Sequence, residues 1–342
     1  MKKLRLALCG CRGKAETFVE LVNGYEESEI AAVWDPQEDG RGAQIAEQYG
    51  YTLENDYDRL LAEYSLDGVI IAAENALHKE LIIKAAKAGV GVFVEKPLCV
   101  SAADAREIQK AVKESGVTFF MSDPFVRRGT LKVKKLIEDG VLGEITGARF
   151  RLGMGNAVRN HVDYNKEKVQ GGIMADVGGH MIHKAHYLFG KPQKLSASLS
   201  YYTEKGKANG IEENAIVVMQ YPKEVLVTME CSWVSGAMTS AEEIYGTKGA
   251  AIVSPYGTEK NAEMVTVKVG RDQVQTYCGD DLPPMPTRHI RYFVEMLLKH
   301  SENDIVGKDP LSNSGVSIDN AVEFVEIIEA IYKSANKGFI DL

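Results

Sequence analysis

Cysteine is scarce in this chain of 342 residues, which contains only five. They are Cys9, Cys11, Cys99, Cys231 and Cys278, and no two of them form a Cys-x-x-Cys pair. A small, odd number of cysteines in a chain of this length argues against a disulfide scaffold and against a structural zinc site. We therefore expect the protein to work in a reducing compartment, the cytoplasm.

A surplus of basic residues and long apolar runs are also absent. Forty Lys and Arg residues stand against 48 Asp and Glu residues, which gives a formal net charge of −8. That sign disfavours binding to nucleic acid or to an anionic membrane surface. No stretch approaches the roughly 18 apolar residues that a membrane-spanning helix requires. The sequence thus predicts neither a nucleic-acid partner nor a membrane partner.

The first part of the chain alternates short apolar runs with helical patterns. The apolar runs cover residues 4–9, 30–34, 68–73, 91–94 and 117–121. Nearly continuous apolar strands between helices are typical of a parallel sheet that is covered on both faces. We predict an α/β fold in which residues 1–122 form a doubly wound, Rossmann-type domain.

The pattern changes after residue 122. From residue 143 onward, longer segments alternate polar and apolar residues, which predicts a mostly antiparallel sheet with one exposed face. Helices are predicted over residues 178–188, 290–298 and 318–335 in this part. We predict that residues 123–342 form an α+β domain with a large open sheet for substrate binding and oligomerisation. The last helix either belongs to this domain or packs back on the first one. The open sheet would expose a large apolar patch, so we expect a homodimer or homotetramer.

A glycine-containing turn follows the first predicted strand. Its sequence, Gly10-Cys11-Arg12-Gly13-Lys14-Ala15, fits the first and third positions of the dinucleotide fingerprint G-x-G-x-x-G/A. Arg12 replaces the middle glycine, and Gly13 stands one place later, which indicates a shifted or shortened turn. A pyrophosphate needs close backbone approach at a helix N-terminus, and Arg12 would add positive charge there. The alternative is an ordinary glycine-rich connection between a strand and a helix.

An acidic residue ends the second predicted strand. Asp35 follows Trp34 and lies 22 residues after Gly13. A carboxylate at this place hydrogen-bonds the adenosine ribose of NAD and repels the additional phosphate of NADP. We therefore predict NAD as the cofactor rather than NADP. The alternative is that Asp35 is a turn residue before Pro36.

Five short motifs, taken in order, resemble those of one enzyme family. They are Asn75 to His78 (N-x-x-H), Glu95-Lys96-Pro97, Gly140 to Gly143 (G-x-x-G), the segment Gly171 to His180 (G-G-x-x-x-D-x-G-x-H) and Gly246 to Gly249 (G-T-x-G). The set resembles the glucose-fructose oxidoreductase / inositol dehydrogenase (Gfo/Idh/MocA) family over nearly the whole chain. The sequence departs from the family pattern at Arg12, at Glu74, where proline is frequent, and at His183, where aspartate is frequent.

The resemblance implies an NAD(P)-dependent oxidoreductase that acts on a sugar, a polyol or a related small molecule. It also implies which residues bind the cofactor. These are the turn residues Gly10, Cys11, Arg12 and Gly13, together with Trp34, Asp35, Asn75, His78, Glu95 and Lys96. Fold analogy alone does not establish a function, so the chemistry of individual residues has to support it.

Lys96 stands at the carboxyl end of a predicted strand, where open α/β sheets bind their ligands. Its ammonium group can hydrogen-bond the reacting oxygen and help to move a proton. Pro97 restricts Lys96 to extended backbone geometry. A lone lysine at a strand end is more often solvated. Because the family pattern includes this lysine, we predict that Lys96 is catalytic and contacts the substrate.

Asp176 and His180 are four residues apart, which places both on one face of a helix. His180 has a suitable ordinary pKa to act as a general base near neutral pH. Asp176 would orient it or bind a substrate hydroxyl. We predict both as catalytic and substrate-binding residues. The structural alternative is Asp176 as a helix cap and His180 as a buried histidine.

Two further histidines are candidate substrate ligands. His183 departs from the family pattern and forms a ladder with His180 and His186, which could also hold a transition metal. Because the family pattern implies no metal, we predict altered substrate contacts instead. His161 lies in a polar cluster that either hydrogen-bonds substrate hydroxyls or forms a solvated loop.

We therefore predict an NAD-dependent oxidoreductase that transfers a hydride between the nicotinamide and a carbinol or carbonyl carbon. One alternative is an NAD-using glycosidase or lyase that oxidises its substrate transiently, with no net redox change. A second alternative is an NAD-binding regulator without catalysis, which the retention of Lys96, Asp176 and His180 together disfavours.

Overall fold

The computed structural model of the chain describes residues 3–37, 40–99, 101–122, 126–155, 164–165, 169, 171–254, 263–283, 289–299, 317–335, 337–338 and 340–342. The chain divides into two compact units. The first unit comprises Met1–Pro124 and Thr287–Val325, and the second comprises Phe125–Pro286 and Glu326–Leu342.

The first unit contains a six-stranded parallel sheet. Its strands are β1 (Leu4–Cys9), β2 (Ser28–Trp34), β3 (Leu53–Glu54), β4 (Gly68–Ile71), β5 (Gly91–Glu95) and β6 (Phe119–Ser122). They lie in the order β3-β2-β1-β4-β5-β6, so the direction of winding reverses between β1 and β4. All four residues of β4 are buried, as expected for a strand covered on both faces. The prediction of a doubly wound parallel sheet is confirmed.

Five helices connect these strands. They are α1 (Ala15–Asn23), α2 (Arg41–Tyr49), α3 (Tyr57–Glu63), α4 (Asn75–Lys87) and α5 (Ala102–Ser115). Short polar side chains begin two of them, since such side chains satisfy backbone N–H groups that lack a partner within the helix. Asp56 accepts a hydrogen bond from the Arg59 N–H at the start of α3. Ser101 accepts one from the Asp104 N–H at the start of α5.

The second unit contains a nine-stranded mixed sheet. In chain order its strands are β7 (Ile145–Met154), β8 (Lys194–Ser200), β9 (Asn214–Tyr221), β10 (Val225–Ser232), β11 (Met238–Gly246), β12 (Gly249–Ser254), β13 (Met264–Val269), β14 (Gln273–Cys278) and β15 (Ile340–Asp341). Their spatial order is β14-β13-β12-β11-β7-β10-β9-β8-β15. β10 and β7 pair in parallel, and the other neighbours are antiparallel. The predicted mostly antiparallel second sheet is confirmed.

The two faces of this second sheet differ. On one face Phe150, Val227 and Ile244 are buried, and α6 (Arg128–Glu138) contacts β12 and β13. The other face carries exposed apolar side chains, among them Ile216 of β9 and Leu226 of β10. The remaining helices in chain order are α7 (Gly179–Phe189), α8 (Glu204–Asn209), α9 (His289–Lys299) and α10 (Ile318–Ser334).

The helix α9 packs in the first unit, although the sequence pattern assigned residues 290–298 to the second domain. Two strand glycines explain this difference. A Cβ atom on Gly68 would lie 2.9 Å from Phe293 Cζ, and one on Gly91 would lie 2.8 Å from Leu297 Cδ2. The glycines therefore admit the large side chains of α9 onto β4 and β5, a long-range complementarity that periodicity does not reveal.

The last helix, predicted over residues 318–335, is divided between the two units after Val325. Within the described parts of the chain, no helix has the length and apolar character needed to cross a membrane.

Candidate dinucleotide site and catalytic helix

The turn after β1 contains two glycines with left-handed backbone. Gly10 has φ +77°, and a Cβ atom there would lie 2.5 Å from Ala73 Cα. Gly13 has φ +53°, and nothing lies within 4 Å of the position its Cβ would take. The intervening Arg12 N–H donates to Ala72 O at 2.8 Å, which ties the turn to the end of β4. The middle glycine of the fingerprint would stand at position 12. In this turn Gly13, one place later, has the left-handed backbone instead.

The N-terminus of α1 fits a phosphate group. The helix begins at Ala15, and its N-cap residue, Lys14, makes no side-chain cap hydrogen bond. The open space beside Gly13 allows a ligand to approach the backbone there. Helix N-termini attract anions through their N–H groups and dipole. These residues can therefore hold the pyrophosphate of a dinucleotide.

Asp35 directly follows β2, and its carboxylate hydrogen-bonds the backbone of the segment that leads into α2. Its Oδ1 accepts a hydrogen bond from the Gln37 N–H, and its Oδ2 accepts one from the Gly42 N–H, each at 3.0 Å. Both readings of the sequence, acidic strand end and turn residue, are therefore compatible with the structure. Because each carboxylate oxygen has two lone pairs, Asp35 retains capacity for ribose hydroxyls.

Two predicted cofactor ligands beside Asp35 have buried side chains. The indole N–H of Trp34 donates to Asn55 O at 3.2 Å, and its ring packs edge-on against Tyr57. Burial and the Asp35 charge raise the pKa of the Cys11 thiol to about 12, so it stays protonated at neutral pH. Trp34 and Cys11 are therefore buried at the end of β2 and in the turn after β1.

An ion pair joins the turns that follow β1 and β4. Arg12 Nη2 lies 2.6 Å from Glu74 Oε1, and Glu74 is the N-cap residue of α4. β1 and β4 are the strands between which the winding direction reverses, the place where open α/β sheets bind ligands. Arg12 and Glu74 are also two of the positions where the sequence departs from the family pattern. The two departures are therefore partners in space.

His78 holds the turn that carries Lys96. Asn75 begins α4, and His78 lies one turn further, where it is fully buried. His78 Nδ1 lies 2.9 Å from Pro97 O, and since a carbonyl only accepts, Nδ1 carries the proton. Lys96 follows β5 directly and is half-buried, and the Lys96–Pro97 bond is cis. Burial lowers the pKa of His78, although hydrogen bonds to backbone carbonyls oppose the shift.

The predicted cofactor residues lie at the carboxyl ends of β1, β2, β4 and β5, in the turns that follow them, or in the first turn of α4. They are Gly10, Cys11, Arg12, Gly13, Trp34, Asp35, Asn75, His78, Glu95 and Lys96. Parallel strands produce this convergence, since all their carboxyl ends lie along one edge.

Asp176 and His180 lie on one continuous helical stretch of the second unit. Asp176 is exposed and belongs to a single π-helical turn, Met174–Gly178, which runs directly into α7. Single π-turns within helices frequently occur at functional sites. His180 is 7% exposed and His183 is 0% exposed, so His180 is the better placed of the two for a ligand.

The remaining predictions for this region concern His161 and a metal. His161 lies outside the described residues. The described segments contain no group of three or more His, Cys, Asp or Glu side chains suited to a metal ion.

Sequence reasoning missed two adjacent buried carboxylates, Glu212 and Glu213, which precede β9. Glu212 Oε1 accepts hydrogen bonds from the Met174 N–H and the Tyr332 hydroxyl. Glu213 accepts hydrogen bonds from Tyr164 and Thr203. The sequence signal that could have identified them is a Glu-Glu pair directly before an apolar strand. Carboxylates are costly to bury without partners, so such a pair indicates specific hydrogen bonds.

A parallel sheet with an open glycine turn, a helix N-terminus that lacks a side-chain cap and an acid directly after β2 is typical of a dinucleotide-binding unit. A sequence model described as an oxidoreductase family with an NAD-binding Rossmann fold matches residues 4–122. A model of the GFO/IDH/MocA C-terminal domain matches residues 130–252. The chain therefore belongs to the Gfo/Idh/MocA family of oxidoreductases, and its first unit is an NAD-binding domain. The resemblance and the cofactor predicted from the motifs are confirmed.

Curated relatives differ in the reactions that their names state. The chain is 30% identical over 259 residues to 2,7-anhydro-N-acetylneuraminate hydratase of Mediterraneibacter gnavus, covering 73% of this chain and 67% of that protein. The hydratase of Escherichia coli K12 is 30% identical over 247 residues, covering 68% and 63% respectively. D-apiose dehydrogenase of Paraburkholderia graminis is 23% identical and covers 99% of this chain and 89% of that protein. The chain thus matches about two thirds of the length of each hydratase.

Solved structures share the fold. An aldose-aldose oxidoreductase from Caulobacter crescentus, complexed with glycerol, has a TM-score of 0.81 at 22% identity and covers 100% of both chains. An inositol dehydrogenase homolog from Azotobacter vinelandii, complexed with NAD+, has a TM-score of 0.80 at 17% identity and covers 100% of this chain and 98% of that chain.

The buried His78 makes stability depend on pH. Since burial lowers its pKa in the folded protein, the unfolded chain binds a proton below the ordinary value of 6.5 that the folded protein does not. We therefore expect His78 to leave the free energy of unfolding unchanged above pH 6.5. Below pH 6.5, that free energy should fall by up to about 1.4 kcal/mol per pH unit. His78→Asn keeps a donor for Pro97 O and should lose this part of the pH dependence. Urea unfolding between pH 5 and 8 measures the difference, and equal slopes in both proteins would contradict it.

Proposed function

We propose that the protein is an NAD-dependent oxidoreductase that transfers a hydride between the nicotinamide and a carbinol or carbonyl carbon of a sugar, a polyol or a sugar derivative. The observation that carries the proposal is Lys96, a half-buried amine at the carboxyl end of β5 within an NAD-binding unit. Its turn is held by a hydrogen bond between the buried His78 and Pro97. Membership of an oxidoreductase family supports the same reaction class.

Residues of the first unit would hold the cofactor. The backbone around Gly13, at the start of α1, would bind the pyrophosphate, and Arg12 would add a positive charge beside it. Asp35 would accept hydrogen bonds from the adenosine ribose. When bound, the nicotinamide supplies the acceptor or donor of the hydride, and the protein supplies orientation and electrostatics.

Three side chains would act on the substrate. His180 would take the proton of the reacting hydroxyl, and Asp176, four residues earlier on the same helical stretch, would orient His180 or bind a second hydroxyl. Lys96 would donate a hydrogen bond to the reacting oxygen and stabilise the charge that develops on it. In the reductive direction the same groups would return the proton.

A second candidate function is suggested by the two relatives named as hydratases, which are 30% identical to this chain. In this alternative the enzyme uses NAD without net redox change, because the substrate is oxidised transiently and then reduced again. Release of free NADH during turnover separates the two functions: net oxidation releases it, and a redox-neutral reaction does not.

Activity should depend on Lys96, Asp176 and His180. On a substrate found with a panel of sugars and polyols, we expect Lys96→Ala and His180→Ala to lower kcat by about 10²–10⁴-fold. Asp176→Ala should also raise KM if Asp176 binds a substrate hydroxyl. NAD affinity should change far less, since the pyrophosphate and ribose contacts lie elsewhere.

Two variants serve as matched controls for this experiment. The first is His186→Ala, because His186 lies on the same helix as His180. The second is Lys87→Ala, because Lys87 is an exposed lysine at the end of α4. Both should retain wild-type kcat. Near-wild-type turnover of His180→Ala across the pH range would falsify its assignment as the general base.

Asp35 should give a preference for NAD over NADP, because its carboxylate would face the 2′-phosphate. We expect Asp35→Ser to reduce the preference for NAD, since serine removes the charge but keeps a side-chain oxygen that can accept a hydrogen bond. Asp56→Ser, the same substitution at the N-cap of α3, should leave the preference unaltered. The ratio of NAD to NADP dissociation constants measures the effect, and tighter binding of NADP by the wild type refutes the assignment.

We also propose a homodimer or homotetramer that associates through the open face of the second sheet. Apolar side chains on this face are exposed, including Ile216 at 53% and Leu226 at 51%. Large exposed apolar patches usually mark interaction sites. Sedimentation should show an oligomer that Ile216→Glu with Leu226→Glu converts to a monomer. A wild-type monomer at micromolar concentration would contradict the proposal.

A further inference from the structure

Glu212 is buried against the start of the helical stretch that carries Asp176 and His180. It precedes β9, has 1% of its surface exposed, and its Oε1 accepts a hydrogen bond from the Met174 N–H at 3.0 Å. The same oxygen accepts a second hydrogen bond from the Tyr332 hydroxyl at 2.7 Å. Tyr332 belongs to the part of α10 that lies in the second unit.

Three successive N–H groups at this helix start bind to Glu212 or Tyr332. The Gly172 N–H donates to the Tyr332 hydroxyl at 3.2 Å, and the Ile173 N–H donates to Glu212 O at 3.0 Å. The Met174 N–H completes the set. The first N–H groups of a helix have no partner within it, and Ile173, the N-cap residue, makes no side-chain cap bond. The Glu212–Tyr332 pair therefore takes the place of a local helix cap.

The same contacts explain the glycine pair of the motif. A Cβ atom on Gly172 would collide with Glu212 O, and one on Gly171 would lie 2.8 Å from the Tyr332 hydroxyl oxygen. Only glycine allows the backbone to approach Glu212 and Tyr332 so closely. The two glycines are also flexible, so the preceding chain does not by itself fix the position of the helix start.

The carboxylates of Glu212 and Asp176 both act on one buried group. Burial raises the pKa of the Cys231 thiol, and the negative charges of Glu212 and Asp176 raise it further. Cys231 lies on β10, and its Sγ is 3.3 Å from Met174 Sδ. Cys231 therefore lies close to both Glu212 and the turn that carries the exposed Asp176.

We propose that Glu212, together with Tyr332, is a positioning residue that fixes the start of the helical stretch bearing Asp176 and His180. This inference rests on the proposed function of those two residues. Catalysis tolerates little displacement, since a misplacement of about 1 Å can cost about 10²-fold in rate. Buried groups that lock catalytic side chains from behind provide this accuracy.

Glu213 supplies a matched control. It is as deeply buried as Glu212, but its partners are the Tyr164 hydroxyl and the backbone and side chain of Thr203, each at 2.6 Å. None of these groups belongs to the stretch Met174–Phe189. Loss of Glu213 therefore removes a buried carboxylate and its hydrogen bonds without releasing the catalytic helix.

The test combines steady-state kinetics with amide hydrogen exchange of residues 172–178. We expect Glu212→Ala to lower kcat by about 10²-fold, with NAD affinity unchanged, and to speed exchange in this segment. Glu212→Gln should retain most of kcat, because the amide oxygen still accepts both hydrogen bonds. Tyr332→Phe should lie between them. Glu213→Ala should retain kcat within a few-fold and leave this exchange unchanged.

Each outcome decides one of the two proposals. If the wild type turns over a substrate and Glu212→Ala has the same kcat, the positioning role is overturned. Unchanged exchange at residues 172–178 in Glu212→Ala overturns it as well. A wild type without turnover on any substrate counts against the proposed function, and exchange alone then decides whether Glu212 anchors the helix. If Glu212→Ala does not fold, Tyr332→Phe and Glu212→Gln provide the comparison.

Discussion

The shared direction of the six strands in the first sheet is the constraint on which the dinucleotide site depends. Because all strands run the same way, the turns after β1, β4 and β5 lie along one edge. Gly13, Glu74 and Lys96 are distant in sequence but adjacent in this arrangement of strands. The close packing of Gly10 on Ala73 fixes how the first two turns meet. The Arg12–Glu74 ion pair then spans the two turns.

Local patterns were sufficient to predict five of the six strands of the first sheet, all except the two-residue strand β3, and to identify candidate site residues at their carboxyl ends. Buried strands such as β4 are uninterrupted apolar runs, and Asp35 and Lys96 are recognisable because each follows such a run. The strand β14 was missed because its side chains are mostly exposed and lack a repeating apolar pattern. The helix α8 was missed because its six residues, Glu204–Asn209, include a glycine and present no apolar face.

Partnerships between distant residues could not be predicted, because spacing along the chain does not encode them. Arg12 and Glu74 are 62 positions apart and each departs from the family pattern, and only the structure pairs them. Glu212 and Tyr332 are separated by 120 positions, and neither belongs to the motif whose helix they support. The sequence did indicate that His180 and Asp176 share a helix. It did not reveal the π-turn that carries Asp176.

The packing of α9 on the first sheet bears on how the protein is made. Phe293 and Leu297 contact the sheet at Gly68 and Gly91, so a nascent chain that ends after β6 lacks part of its own core. At about 5–20 residues per second, a ribosome needs on the order of 10 s more to deliver α9. During that interval the strands β4 and β5 present an uncovered apolar surface, to which chaperones would have access. For the same reason, a gene fragment that ends at residue 122 encodes an incomplete domain.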